Sequence, residues 1–135
     1  MTTPHELVNP DDLLSPAGFS HAVVATSGRV VHIAGQTAHG PDGALRGETV
    51  AEQFEQAVAN LARVLDAVDG RPEHLVSMQI FVTDVEAYRS SLQPIGAAWR
   101  RHLGKHYPAV SLFEVKGLFD PAATVEIVAV AVVPA

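Results

Sequence analysis

The chain contains no cysteine, which excludes disulfides, thiolate metal sites and a cysteine nucleophile. No apolar run approaches the about 20 residues that a membrane-spanning helix needs, so no membrane partner is expected. Basic residues are scarce: 9 Lys and Arg stand against 15 Asp and Glu, a formal net charge of −6. Phosphate backbones are held by clustered Lys and Arg, so no nucleic-acid partner is expected either. The one basic cluster, Arg100-Arg101-His102, reads as the solvated face of a helix. Residues 1–12 are polar and acidic and lack a basic segment followed by an apolar one, which argues against a secretory signal and for a cytoplasmic protein. The motifs G-x-x-x-x-G-K-[ST], G-x-G-x-x-G and G-x-S-x-G are missing. Phosphate cradles, dinucleotide sites and a hydrolase nucleophile elbow therefore lack support.

What is present is a core. At 135 residues with 47% hydrophobic content, the chain suits one domain over 1–135. Residues 1–18, with Pro10, Ser15, Pro16 and Gly18, read as an irregular lead-in. Residues 20–26 and 30–36 read as strands joined by Ser27-Gly28-Arg29, a candidate hairpin. Thr49 and Glu52 form a capping box. The stripe Val50, Phe54, Ala57, Val58, Leu61, Val64, Leu65 and Val68 predicts a helix that Gly70 and Pro72 end. Residues 75–82 alternate, with Val76, Met78, Ile80 and Val82 on one face. Thr83 and Glu86 predict a second capped helix running to near Gly104, with a kink or restart at Pro94. Strands at 109–115 and 124–133 follow, for an order β-β-α-β-α-β-β. This is an α+β fold: a mixed sheet of about five strands with two helices packed on one face. The last strand is apolar on both faces. Its second face is covered either by a further subunit or by the loop and N-terminal segment, and large exposed apolar patches favour the subunit.

Glu126 is the only charge in that last strand. Burying an unpaired carboxylate costs several kcal/mol, so Glu126 is paired, hydrogen-bonded, neutral or facing a cavity. General acid–base work and a structural ion pair remain open readings. His102 and His106 have H-x3-H spacing, but Gly104 between them breaks the helix and no carboxylate pair accompanies them, so no metal site is expected. His32, inside a strand, reads as a core histidine, His21 as a cleft or surface residue, and Trp99 as a core or interface anchor.

Six segments in order resemble the RidA/YjgF family of reactive-intermediate deaminases: Phe19-Ser20-His21-Ala22-Val23, Ala34-Gly35-Gln36, Glu52-Gln53 through Gly70, Phe81-Val82-Thr83-Asp84, Tyr107-Pro108-Ala109 and Val125-Glu126-Ile127. The resemblance covers about residues 15–134 and implies a chorismate-mutase-like fold, a homotrimer and small-molecule sites in clefts between subunits, with no cofactor. It implies that Glu126 positions an attacking water. By the same carry-over Phe19 replaces a cleft tyrosine and Ala34 a serine, Gln93 (or Leu92) falls near a cleft asparagine, and Ser111 sits beside the cleft. Val110 stands where members carry the arginine that clamps a substrate carboxylate. Losing such a charge-assisted pair costs about 2–5 kcal/mol, so efficient deamination of iminoacids is not expected. Hydrolysis or hydrolytic deamination of a small imine- or enamine-like compound is the leading expectation. The alternative is a non-catalytic ligand-binding or structural trimer.

Overall fold

A computed structural model describes residues 2–135. In chain order it contains β1 (Glu6–Val8), β2 (Ala22–Val24), β3 (Arg29–Gln36), α1 (Val50–Ala67), β4 (Leu75–Val82), α2 (Val85–Arg89), α3 (Leu92–Leu103), β5 (Ala109–Glu114) and β6 (Val125–Val133), with a 3-10 turn at Pro72–His74. The α+β class holds. The strands divide into a four-stranded sheet of order β3-β6-β4-β5 and a two-stranded sheet β1-β2. Within the larger sheet β4 runs parallel to β5, and β6 is antiparallel to both of its neighbours.

Local chemistry sets the helices. The Thr49 side chain accepts from the Glu52 N–H at 3.2 Å, and Glu52 Oε1 accepts from the Thr49 N–H at 3.1 Å, so both halves of the capping box form. At the other end Asp69, not a glycine, takes the left-handed conformation (φ 59°), and the Gly70 N–H closes onto the Leu65 carbonyl at 2.8 Å. The second helical stretch breaks into α2 and α3, with Pro94 in the first turn of α3, where a missing N–H costs nothing. Its cap is Asp84 rather than Thr83: the Asp84 carboxylate accepts from the Ala87 N–H at 3.1 Å. Phe54, Val58, Leu61 and Leu65 of α1 and Ile95, Ala98 and Trp99 of α3 bury against Met78, Ile80 and Val82 of β4 and Val125, Ile127, Ala129 and Ala131 of β6. Val76 does not continue the β4 stripe, because the register with β6 shifts between Leu75 and Ser77.

The expected hairpin of 20–26 with 30–36 does not form, and the lead-in is not wholly irregular. β2 pairs with β1 instead, Leu7 opposite Val23. The N-terminal segment occupies the donors that such a hairpin would use: the His21 N–H donates to Asn9 Oδ1 (2.7 Å) and the Thr26 N–H to His5 Nδ1 (3.2 Å). Ser20 meanwhile bridges in parallel to Ala109, its N–H on the Pro108 carbonyl and its hydroxyl on that of Tyr107. Phe19 and Ser20 thereby lie along the β5 edge.

The sheet face opposite the helices carries Glu126, Val128 and Val130 of β6, Gln79 and Phe81 of β4, and Ser111 and Phe113 of β5, which the register sets in rows. The Phe81 and Phe113 rings stack with centroids 5.6 Å apart. Phe113 and, on β3, Val30 are exposed.

Candidate functional site

Two hollows flank this face. The first is organised by Glu126. The β3–β6 register breaks between Ile33 and Gln36, and this irregularity brings Gly35 against the Glu126 side chain: a Cβ at position 35 would collide with the carboxylate. The half-buried Glu126 side chain has no hydrogen bond or ion pair among the described residues. Its carboxylate lines a hollow of about 470 Å³ with Gly35, Thr37, His39, Phe119, Asp120 and Pro121. Phe119 projects wholly into solvent at the rim.

A polar chain runs along the wall of this hollow. Thr37 Oγ1 lies 2.5 Å from His39 Nδ1, and His39 Nε2 lies 2.9 Å from Asp120 Oδ2. Asp120 Oδ1 also accepts from the Ala122 N–H at 2.9 Å. That backbone donor first, and His39 second, hold the Asp120 carboxyl below the usual carboxylate range. The loop itself is anchored from α1. Asn60 Nδ2 donates to the carbonyls of Thr37 (3.0 Å) and His39 (2.9 Å), and Gln56 Nε2 fixes Asn60 through its Oδ1 (2.9 Å).

The second hollow, about 440 Å³, lies at the β5 edge and is lined by Phe19, Ser20, His21, Ser77, Met78, Gln79, Ala109, Val110 and Ser111. His21 Nε2 bonds the Leu14 carbonyl at 2.7 Å, and its ring meets Phe19 edge-on at 5.2 Å. Phe19 and Val110 also line an apolar groove of about 530 Å³ between α3 and β5, where Tyr88, Trp99 and Tyr107 form the floor and Arg100 is the only charged side chain. Burial pushes the Tyr88 hydroxyl up to about 12, leaving it a neutral hydroxyl at any physiological pH. Val110 packs on the core cluster, whereas Ser111 shares the face of Glu126.

The expected site residues thus separate. Phe19, Val110 and Ser111 meet in one hollow, and Glu126 lies in the other, two strands away. Gln93 is exposed in the first turn of α3, and Ala34 is exposed on β3 with its carbonyl bonded by Gln36 Nε2 at 3.1 Å; neither lines either hollow. The polar chain Thr37–His39–Asp120 was not anticipated. His39 and Asp120 lie 81 residues apart, and the one local hint is T-x-H directly after Ala34-Gly35-Gln36. His32 is exposed rather than in the core. Trp99 is a buried anchor whose Nε1–H donates to the His106 carbonyl at 3.1 Å. His102 and His106 face separate partners: His102 bonds Glu55 at 3.0 Å and His106 the Leu75 carbonyl at 2.8 Å. Arg101 joins His102 on Glu55 (2.7 Å), so the basic cluster ties α3 to α1.

The family profile described as endoribonuclease L-PSP matches residues 11–133. A Rid-family protein of unknown function from Yersinia pestis, YyfB, superposes with a TM-score of 0.86 at 32% identity, over 96% of this chain and 98% of that one. A member of the YjgF/YER057c/UK114 family from Mycobacterium tuberculosis superposes with a TM-score of 0.64 at 28% identity, over 96% and 99%. Protein HMF1 of Saccharomyces cerevisiae is 26% identical over 102 residues, covering 76% of this chain and 74% of that protein.

Proposed function

Because this chain belongs to the RidA/YjgF family, profiled as endoribonuclease L-PSP, we propose that it hydrolyses a small imine- or enamine-like metabolite, with Glu126 positioning the attacking water. The observation that carries this reading is the unpartnered carboxylate seated over Gly35 in an open hollow. A structural ion pair would have a partner, and a surface glutamate would need no glycine beneath it. The substrate class follows from charge. Neither the Glu126 hollow nor the Ser111 hollow is lined by Lys or Arg, so nothing there clamps a carboxylate, and a neutral or cationic imine fits best. The same lack weighs against cleavage of an RNA phosphodiester, whose charge needs cations.

The assembly belongs to the proposal. Glu126 and Ser111 occupy one sheet face but opposite ends of it. A homotrimer that buries Val30, Val128, Val130 and the Phe81–Phe113 pair sets the Glu126 end of one copy against the Phe19/Ser111 end of the next, completing one cleft per interface. A cytoplasmic setting, where such imines arise and are cleared, accords with this role.

The experiment supplies benzaldimine, released in situ by a flavin amine oxidase from benzylamine, and follows ammonia above the uncatalysed rate. Wild type is expected to accelerate release. Glu126→Gln is expected to lose about 10²-fold or more, the scale of a positioned general base, with its sedimentation unchanged. A wild type indistinguishable from buffer refutes catalysis and leaves a ligand-binding trimer. Sedimentation as a monomer refutes the shared cleft.

A further inference from the structure

Imine hydrolysis needs proton delivery as well as proton removal. Glu126 can take a proton from water, but the departing nitrogen must gain two. We infer that Thr37, His39 and Asp120 form the proton relay that serves this nitrogen, an inference that rests on the hydrolytic reading of the Glu126 hollow. The geometry has the required order. Asp120 sits behind the ring at 2.9 Å from Nε2, and Thr37 sits in front at 2.5 Å from Nδ1. All three side chains line the hollow that holds Glu126. Asp120, kept ionised by the Ala122 N–H, fixes the ring orientation and stabilises the imidazolium. A clamp between the two loops would need only the His39–Asp120 pair. A hydroxyl on the other ring nitrogen, at the cavity wall, extends the chain towards the reacting space. The ring is also held more firmly than a surface histidine, because the carbonyls of Thr37 and His39 are both taken by Asn60.

The relay starts with His39 as imidazolium, its Nδ1–H on Thr37 Oγ1. Water attacks the imine carbon while Glu126 accepts one water proton. A C–O bond forms, and the C=N π pair moves to nitrogen. Thr37 gives its hydroxyl proton to that nitrogen and takes the Nδ1 proton of His39. In the resulting carbinolamine the nitrogen takes the proton held by Glu126, and the C–N bond breaks with its pair on nitrogen. The carbinolamine hydroxyl proton returns through Thr37 to His39. The sum is imine plus water giving carbonyl plus amine, with Glu126 and His39 restored.

The test uses the benzaldimine assay on the full chain with Thr37→Val, Thr37→Ser, His39→Gln and Glu126→Gln. Thr37→Val and His39→Gln are expected to lower kcat about 10²-fold with KM within about twofold, the scale of general acid catalysis. Thr37→Ser, which keeps the hydroxyl, is expected to restore at least half of the activity. If Glu126→Gln abolishes turnover while Thr37→Val and His39→Gln keep kcat, the relay is wrong and the hydrolytic reading stands. If wild type shows no turnover, both fall.

Discussion

The two ends of the open sheet face are built on opposite terms. At the β3–β6 end a glycine, a register break and an anchored loop surround an unpartnered acid with a histidine, a threonine and a second acid. At the β5 end three serines (Ser20, Ser77 and Ser111), His21 and Gln79 are the polar members of a wall completed by Phe19, Met78, Ala109 and Val110, and no acid lines it. The first end has the groups that handle water and protons. The second has the groups that hold an apolar or neutral ligand, with Val110 and no Lys or Arg in its wall. The proposed function therefore assigns chemistry to one end and recognition to the other, and substitutions at each end should move different kinetic constants.

The sharpest break in that contrast comes from Gly35. Alanine there meets the tip of a flexible side chain rather than backbone, and the Gly35 φ lies outside the left-handed range. Gly35→Ala should therefore leave stability within about 1 kcal/mol of wild type, yet push the Glu126 carboxylate off its seat. Its kcat on benzaldimine should fall about 10²-fold, as in Glu126→Gln. A Gly35→Ala protein with full activity would show that the seat is irrelevant to catalysis. At the other end, Val110→Arg introduces a cation into a wall that has none. It should raise kcat/KM about 10- to 100-fold for the carboxylate-bearing imine released by an amino-acid oxidase, the range of one charge-assisted pair, and leave benzaldimine turnover nearly unchanged. Loss of both activities would mean that the arginine disrupts the packing of Val110 on the core instead of reaching the hollow.

Much of the fold was legible because its signals are local. The Thr49/Glu52 box, the α1 stripe and the restart at Pro94 each need only a few neighbouring residues to act. Glu126 stood out for the same reason, as one charge within an apolar strand. β1 did not: three residues carry no periodicity, and the pairing of Leu7 with Val23 depends on contacts such as His5 with Thr26 that sequence does not reveal. The mis-assigned hairpin follows from that gap, since a short turn between two apolar runs suggests pairing unless a third segment has already taken the donors. The polar chain at Thr37, His39 and Asp120 escaped notice because a hydrogen bond spanning 81 residues leaves no spacing to read. The division of the expected site residues between two hollows was not legible either, because the family motifs fix residue types and order and say nothing of which strands lie between them.

The smallest expected effect lies away from both hollows and tests whether the N-terminal pairing matters to stability. His106 is buried, and its Nε2–H donates to the Leu75 carbonyl. Desolvation is the chief reason its pKa is lowered from 6.5; nearby His5 acts in the same direction, while the Leu75 hydrogen bond and Glu73 oppose. The same cause lowers His74. A histidine whose folded pKa is depressed binds its proton more readily in the unfolded chain. Its contribution is therefore complete above pH 6.5 and is lost as the pH falls from there through the folded pKa. Glu52, Glu55 and Asp120 are also lowered, but from starting values of 4.5, 4.5 and 3.8, so their losses begin only in stronger acid. Between pH 7.5 and 5 the urea midpoint should therefore decline gently. His106→Gln, which keeps an N–H for the Leu75 carbonyl but cannot titrate, should flatten part of that slope, with His74 supplying the rest. A midpoint that rises on acidification, or an identical slope in the variant, would mean that His106 meets water freely and that β1 does not seal it.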